Sequence, residues 1–132
     1  MRFGVLVIDV INDFVSGVLG SERVKGTVPN VKRLLQYARE QVIPIFYITD
    51  SHSIDDREFN LWPSHAVEGS WGAQVIDDIR PKPGDQIIEK RFYSPFQGTN
   101  LDGLLRGIGV DTVILTGLVT NICVQHTAAD AY

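Results

Sequence analysis

Residues 2–10 read RFGVLVIDV: a single charge at Arg2, six uncharged residues from Phe3 to Ile8, and then Asp9. A strand with one wet face alternates apolar and polar residues, and this run does not. It suits a parallel strand covered by helices on both faces, with the aspartate at or near its C-terminal end. Residues 42–50, VIPIFYITD, repeat the pattern and close on Asp50. Between the two runs, Val31, Leu34, Leu35 and Ala38 recur at helical spacing within Val28 to Gln41, with Pro29 acceptable in the first turn. Strand, helix, strand in this order predicts a right-handed crossover and a parallel sheet. DQIIEK (85–90) and DTVILTG (111–117) read as a third and a fourth strand, Leu101 to Arg106 as a helix capped by the preceding GTN, and Ile122 to Tyr132 as a last helix. The polar stretch 51–85, rich in Gly, Pro and Trp, is expected to form long loops with a short helix around Ala73 to Ile79. The expected fold is therefore a three-layer α/β/α arrangement with a parallel sheet, in one domain over residues 1–132.

Composition narrows the function classes. At 132 residues and 44% hydrophobic, the protein is large enough for one apolar core. A formal charge of −4 offers no basic field for phosphates, so no nucleic-acid or anionic-membrane partner is expected and a small molecule is favoured. One cysteine forms no internal disulfide, no leader pattern opens the sequence, and no apolar run approaches the roughly 20 residues of a membrane-spanning helix. These features predict a reduced, cytoplasmic protein.

Three reactive residue types fall at strand ends: Asp9, Lys90 and, at the strand-to-helix junction in TGLVTNICVQH, Cys123. Ligand crevices of open α/β sheets lie outside the carboxyl ends of the strands, so these residues can converge. Their chemistry is coherent. A cation from Lys90 and a helix N-terminus would lower the Cys123 thiol from about 8.5 toward its reactive thiolate. Asp9 would take the thiol proton and later deliver it to a leaving amine, while backbone N–H groups of the turn hold an oxyanion. Singly, each residue has a plainer use: a lone cysteine is commonly buried and inert, Asp9 or Asp13 can cap a loop, and Lys90 can be a solvated charge beside Glu89.

The blocks VLVIDVINDF with Asp9, IIEKRFYSPFQGTNLDGLL with Lys90, and VDTVILTGLVTNICVQHTAADA with Cys123 resemble the isochorismatase-like cysteine hydrolases, the superfamily that includes nicotinamidases and N-carbamoylsarcosine amidases. The resemblance implies a Rossmann or flavodoxin-like topology and an Asp9–Lys90–Cys123 triad. It also implies a thioester intermediate that water resolves, with release of ammonia from a primary amide or carbamoyl substrate. A cis peptide at Leu118–Val119 is implied as well, aiming the Val119 N–H, together with that of Cys123, at the oxyanion. Relatives commonly form dimers or tetramers, which implies a homo-oligomer. They also continue beyond the helix that follows the cysteine into one or two further strands and a last helix. The expectation is a domain truncated at its C-terminal end relative to the family, with a sheet edge left uncovered.

In TDSH, Asp50 and His52 lie two apart on an extended segment and share a side, and WPSHAVEG supplies His65 from the next loop. Two imidazoles and a carboxylate suit zinc or a similar divalent metal with positions left open. The resemblance supports this, because nicotinamidases carry a metal on an Asp-x-His pair and a later histidine, where it orients the substrate. Phe14, Trp62 and Tyr93 are expected to line a pocket for a small planar amide; Trp71 and Phe92 fit a pocket or a packing role equally. His126 is given no catalytic role. The metal residues favour nicotinamidase chemistry and the segment after Lys90 favours the carbamoylsarcosine amidases, so the substrate is divided between them. The alternatives are isochorismatase-type hydrolysis, although relatives doing that chemistry dispense with the cysteine, a non-catalytic flavodoxin-like binding module, and a redox-sensing thiol.

Overall fold

Side-chain alternation along two central strands divides the interior in the computed structural model, which describes residues 1–132. Strand β1 (Phe3–Ile8) pairs in parallel with β2 (Ile45–Asp50) on one side and with β4 (Thr112–Gly117) on the other, and β2 pairs with β3 (Gln86–Lys90), giving the order β3-β2-β1-β4. Val5 and Val7 of β1 join Ile45 and Tyr47 of β2 in one core, packed under Val31, Leu35 and Ala38. Leu6, Ile8, Phe46 and Ile48 point the other way, against Leu101, Leu105 and Cys123. Two dry faces explain why β1 and β2 carry no polar alternation.

Two short helices that periodicity did not indicate, α1 (Asn12–Val15) and α2 (Glu22–Lys25), follow β1; the Ser21 hydroxyl caps α2 by accepting from the Val24 N–H at 3.2 Å. Helix α3 (Val28–Glu40) carries Pro29 in its first turn and covers one face; α4 (Leu101–Gly107) and α5 (Gln125–Ala131) lie on the other. Before α4 the cap comes from within the expected GTN segment. Asn100 makes no side-chain cap bond, and the Thr99 hydroxyl accepts from the Leu101 N–H at 3.2 Å.

The expected helix over Ala73 to Ile79 is absent. Two single 3-10 turns, Trp71–Ala73 and Asp77–Ile79, flank an extended piece in which Val75 bridges Ile11 and the Ile76 N–H donates to the Val10 carbonyl. Backbone groups committed to a neighbouring segment are not free to close helical turns. The last helix is also modified, since Thr120–Val124 forms a π turn ahead of α5. No helix is long and apolar enough to cross a membrane.

Glycine is required where β4 ends. Gly117 adopts φ 118°, and a Cβ there would lie 2.0 Å from the Ile8 carbonyl oxygen. Close approach of the two backbones lets the Leu118 N–H donate to that carbonyl at 2.8 Å. The turn bearing Cys123 is thereby hung directly beside the end of β1.

Candidate active site

The C-terminal strand ends gather Asp9, Asp50, Lys90 and Cys123, each no more than 5% exposed. Asp9 follows β1 with φ 53°, a left-handed conformation that aspartate tolerates better than most residues and that marks sites with a special task. Its Oδ1 accepts the N–H of Asp50, the last residue of β2, at 2.9 Å. Its Oδ2 lies 3.0 Å from Lys90 Nζ but lacks a hydrogen-bond donor. Lys90, the register partner of Asp50 in the adjacent strand, also donates to Asp50 Oδ1 and lies 3.6 Å from Cys123 Sγ. Carboxylate oxygens of Asp9 and Asp50 are within 4.8 Å of that sulfur.

One ammonium thus faces two carboxylates and a thiol. Burial would lower the Lys90 pKa, but the charges of Asp9 and Asp50 outweigh it and hold the amine protonated. Burial raises Asp9 to about 6, assisted by Asp50 and opposed by Lys90. Asp50 goes the other way: its burial is outweighed by the adjacent His52 ring and by Lys90, and its pKa is lowered. Burial and the charge of Asp9 push the Cys123 thiol well up, more than Lys90 pulls it down. The expectation that Lys90 would yield a resting thiolate is therefore corrected. Its charge is spent on two carboxylates, and the thiol keeps its proton.

A few ångströms away, Asp50 Oδ2 lies 3.5 Å from His52 Nε2 and 4.0 Å from His65 Nε2. The second nitrogen of each ring is committed: His52 Nδ1 is 3.0 Å from Asp56 Oδ2, and His65 Nδ1 is 2.7 Å from the Pro63 carbonyl. Those bonds make Nδ1 the donor and leave the Nε2 atom of each ring facing Asp50. Glu58, absent from the sequence-based site, brings carboxylate oxygens to 3.8 Å from both Nε2 atoms. With no ion considered, the neighbouring carboxylates of Asp50 and Asp56 raise His52 to about 9 despite burial. His52 Nε2 is nonetheless a buried ring nitrogen without a hydrogen-bond partner. An orphaned nitrogen facing carboxylates is what a divalent cation would satisfy, so the residues fit a metal.

Both clusters open into a cleft of about 250 Å³ whose walls include Phe14, Trp62, Tyr93, Val119, Ile122 and Cys123. Leu19 and Val24, from the region of α1 and α2, complete it and were missed, because their short helices carry no detectable period. Trp71 and Phe92 are 59% and 57% exposed and stand outside the cleft. The peptide bond Leu118–Val119 is cis. His126 is not part of the cleft wall, but its ring lies 5.3 Å from that of Tyr93.

A parallel α/β sheet carrying a thiol, an amine and two carboxylates at its strand ends, next to a histidine-carboxylate cluster, defines a class of small-molecule site at the sheet's carboxyl edge. The chain belongs to the isochorismatase domain family, which matches residues 4–132. N-carbamoylsarcosine amidase from Thermoplasma acidophilum superposes with a TM-score of 0.95 at 44% identity, covering 99% of this chain and 76% of that one. Pyrazinamidase of Pyrococcus horikoshii, solved in complex with zinc, superposes at 0.93 with 30% identity, covering 99% and 78%. Ureidoacrylate amidohydrolase RutB of Rhizobium rhizogenes is 30% identical over 129 residues, covering 82% of this chain and 52% of that protein. The chain spans about half the length of the curated relatives it matches.

Proposed function

We propose that residues 1–132 form one cysteine amidohydrolase domain that cleaves a small amide or carbamoyl compound and releases ammonia. The observation that carries this reading is the contact of Cys123 Sγ with Lys90 Nζ at 3.6 Å, with Asp9 Oδ2 ion-paired to the same amine at 3.0 Å but lacking a hydrogen-bond donor. Relatives named as amidases and amidohydrolases support it.

Cys123 is the nucleophile and Asp9 its base. The thiol proton passes to Asp9 as sulfur bonds to the substrate carbonyl carbon, whose oxygen becomes an oxyanion held by the Val119 and Cys123 N–H groups. Collapse of that adduct breaks the carbon–nitrogen bond, the proton from Asp9 leaves with the ammonia, and a thioester remains. Water then attacks the thioester, giving a proton to Asp9 and restoring the thiol as the acid departs. Because the resting thiol is neutral, proton loss accompanies attack rather than preceding it. Lys90 holds Asp9 in place and balances the charge that develops.

Asp50, His52, His65 and Glu58 would hold a divalent ion, zinc in our reading, which supplies a Lewis-acid contact that orients the substrate. Phe14, Trp62 and Tyr93 then flank a planar substrate, either an N-carbamoyl amino acid or a nicotinamide-like ring amide. We further place the protein in the cytoplasm as a homo-oligomer.

The test is ammonia release from nicotinamide, N-carbamoylsarcosine and ureido acids, with Cys123→Ala in parallel. Cysteine-dependent release from one of these supports the reading. Release from none, or release that survives in Cys123→Ala, overturns it.

A further inference from the structure

We infer that Asp13 is a positioning residue for the metal cluster, acting through the backbone of Ala66 rather than by touching a ligand; the inference rests on the metal site proposed above. Asp13 lies at the start of α1, and its contact with the His65 loop spans 53 residues of sequence. Its Oδ2 accepts the Ala66 N–H at 2.8 Å, and that N–H belongs to the peptide unit joining His65 to Ala66. The carbonyl of Ala66 accepts the His52 N–H at 2.9 Å, and the His52 carbonyl accepts the Glu68 N–H at 2.9 Å. Both imidazole-bearing residues are therefore tied to one alanine, and Asp13 holds that alanine.

Two observations set this contact apart from an incidental loop bond. Ala66 is fully buried with φ 46°, a left-handed conformation that disfavours a non-glycine residue and that persists only where its surroundings hold it. Gly72 lies so close that a Cβ there would come within 1.9 Å of Asp13 Oδ2. The carboxylate is seated on bare backbone, and the segment beneath it is stitched down by Asn12, whose Nδ2 donates to the Trp71 carbonyl at 2.8 Å. Phe14 lies one residue beyond, with its ring 5.5 Å from that of His65. One short stretch thus supplies a cleft wall and the anchor of a ligand loop.

The chemistry calls for a hydrogen-bond acceptor at this position, not for a charge. Asp13→Ala removes the acceptor and Asp13→Asn retains one. Zinc affinity, measured by competition with a chelator, is expected to fall about 10–100-fold in Asp13→Ala and to stay within a few-fold of wild type in Asp13→Asn. Iodoacetamide modification of Cys123 is expected to keep its wild-type rate in both, which separates the effect from unfolding. Amide hydrogen exchange at Ala66 and His52 reads the contact without any metal and is expected to speed up about tenfold or more in Asp13→Ala. Wild-type zinc affinity in Asp13→Ala, or an asparagine variant as weak as the alanine one, overturns the inference. If the wild type takes up no zinc, the metal reading fails, and exchange at Ala66 still decides: unchanged rates overturn the Asp13 contact.

Discussion

Two cation–carboxylate clusters flank this sheet, and they are built to different charge balances. In the first, the Arg39 guanidinium donates to both oxygens of Asp85 at 2.8 and 2.7 Å and to the Tyr47 hydroxyl at 3.2 Å, while that hydroxyl donates to the Ile79 carbonyl at 2.7 Å. One cation meets one carboxylate in fork geometry. The hollow beside it, about 520 Å³ and lined by Lys32, Arg39, Asp77 and Lys82 among others, contains no cysteine, serine or histidine. In the second, the single Lys90 ammonium serves Asp9, Asp50 and Cys123 in near-complete burial. In the matched pair, the hydrogen bonds to Asp85 raise the Arg39 pKa further and hold the guanidinium protonated. The mismatched one leaves Asp9 near 6, able to hold or release a proton, which is what acid–base chemistry requires.

The hardest break of this contrast is Cys123→Ala. Ammonia release is expected to fall by about 10³-fold or more, because in the proposed scheme no other group forms the thioester. The urea midpoint is expected to move little, and an equally active alanine variant would remove the nucleophile from the scheme. Next is Lys90→Met, which leaves two buried carboxylates without a cation. Removing one partner of a buried pair typically costs about 3–5 kcal/mol, so a clear drop in urea stability is expected together with loss of turnover. Wild-type stability in that variant would mean that the two clusters are energetically alike.

Titration of Asp9 gives a smaller, graded effect. In the proposed scheme attack needs its carboxylate form, so kcat/KM is expected to fall about tenfold per unit below pH 6. For stability the sign is opposite. The folded protein binds this proton more tightly than the unfolded one, whose carboxyl titrates near 3.8, so the contribution is complete below that value and is lost as pH rises through about 6. Urea midpoints from pH 4 to 7 for wild type and Asp9→Asn check this, since the variant lacks that component of the slope. Parallel curves would place the proton elsewhere. Least disruptive is Arg39→Met, expected to cost about 1–2 kcal/mol while leaving kcat/KM within about twofold. A large activity loss there would erase the division of labour between the two clusters.

Much of this site is legible in one dimension. Asp9, Asp50 and Lys90 each close an apolar run, and a strand end is a place that sequence can mark, so their convergence follows from the parallel sheet. Asp-x-His and the later histidine are visible by spacing on an extended segment. Glu58 and Asp13 are not visible in that way. Glu58 lies in the short 3-10 turn Arg57–Asn60, and Asp13 acts on Ala66 through a contact that joins distant loops. Irregular backbone has no period, so nothing local says which way its carboxylates point. The segment around Val75 misled for a related reason: its residues resemble a helical turn, but their N–H and carbonyl groups pair with the segment after β1.

Sequence by itself determined the parallel α/β sheet and which titratable residues stand at its carboxyl edge, because apolar periodicity and strand ends are local properties of a polypeptide. Only the tertiary structure decided how those residues behave. Whether Cys123 rests as thiol or thiolate depends on how many carboxylates share Lys90 and how far water is excluded. Coulomb energies in a buried site vary with distance and dielectric, and neither is written in residue order.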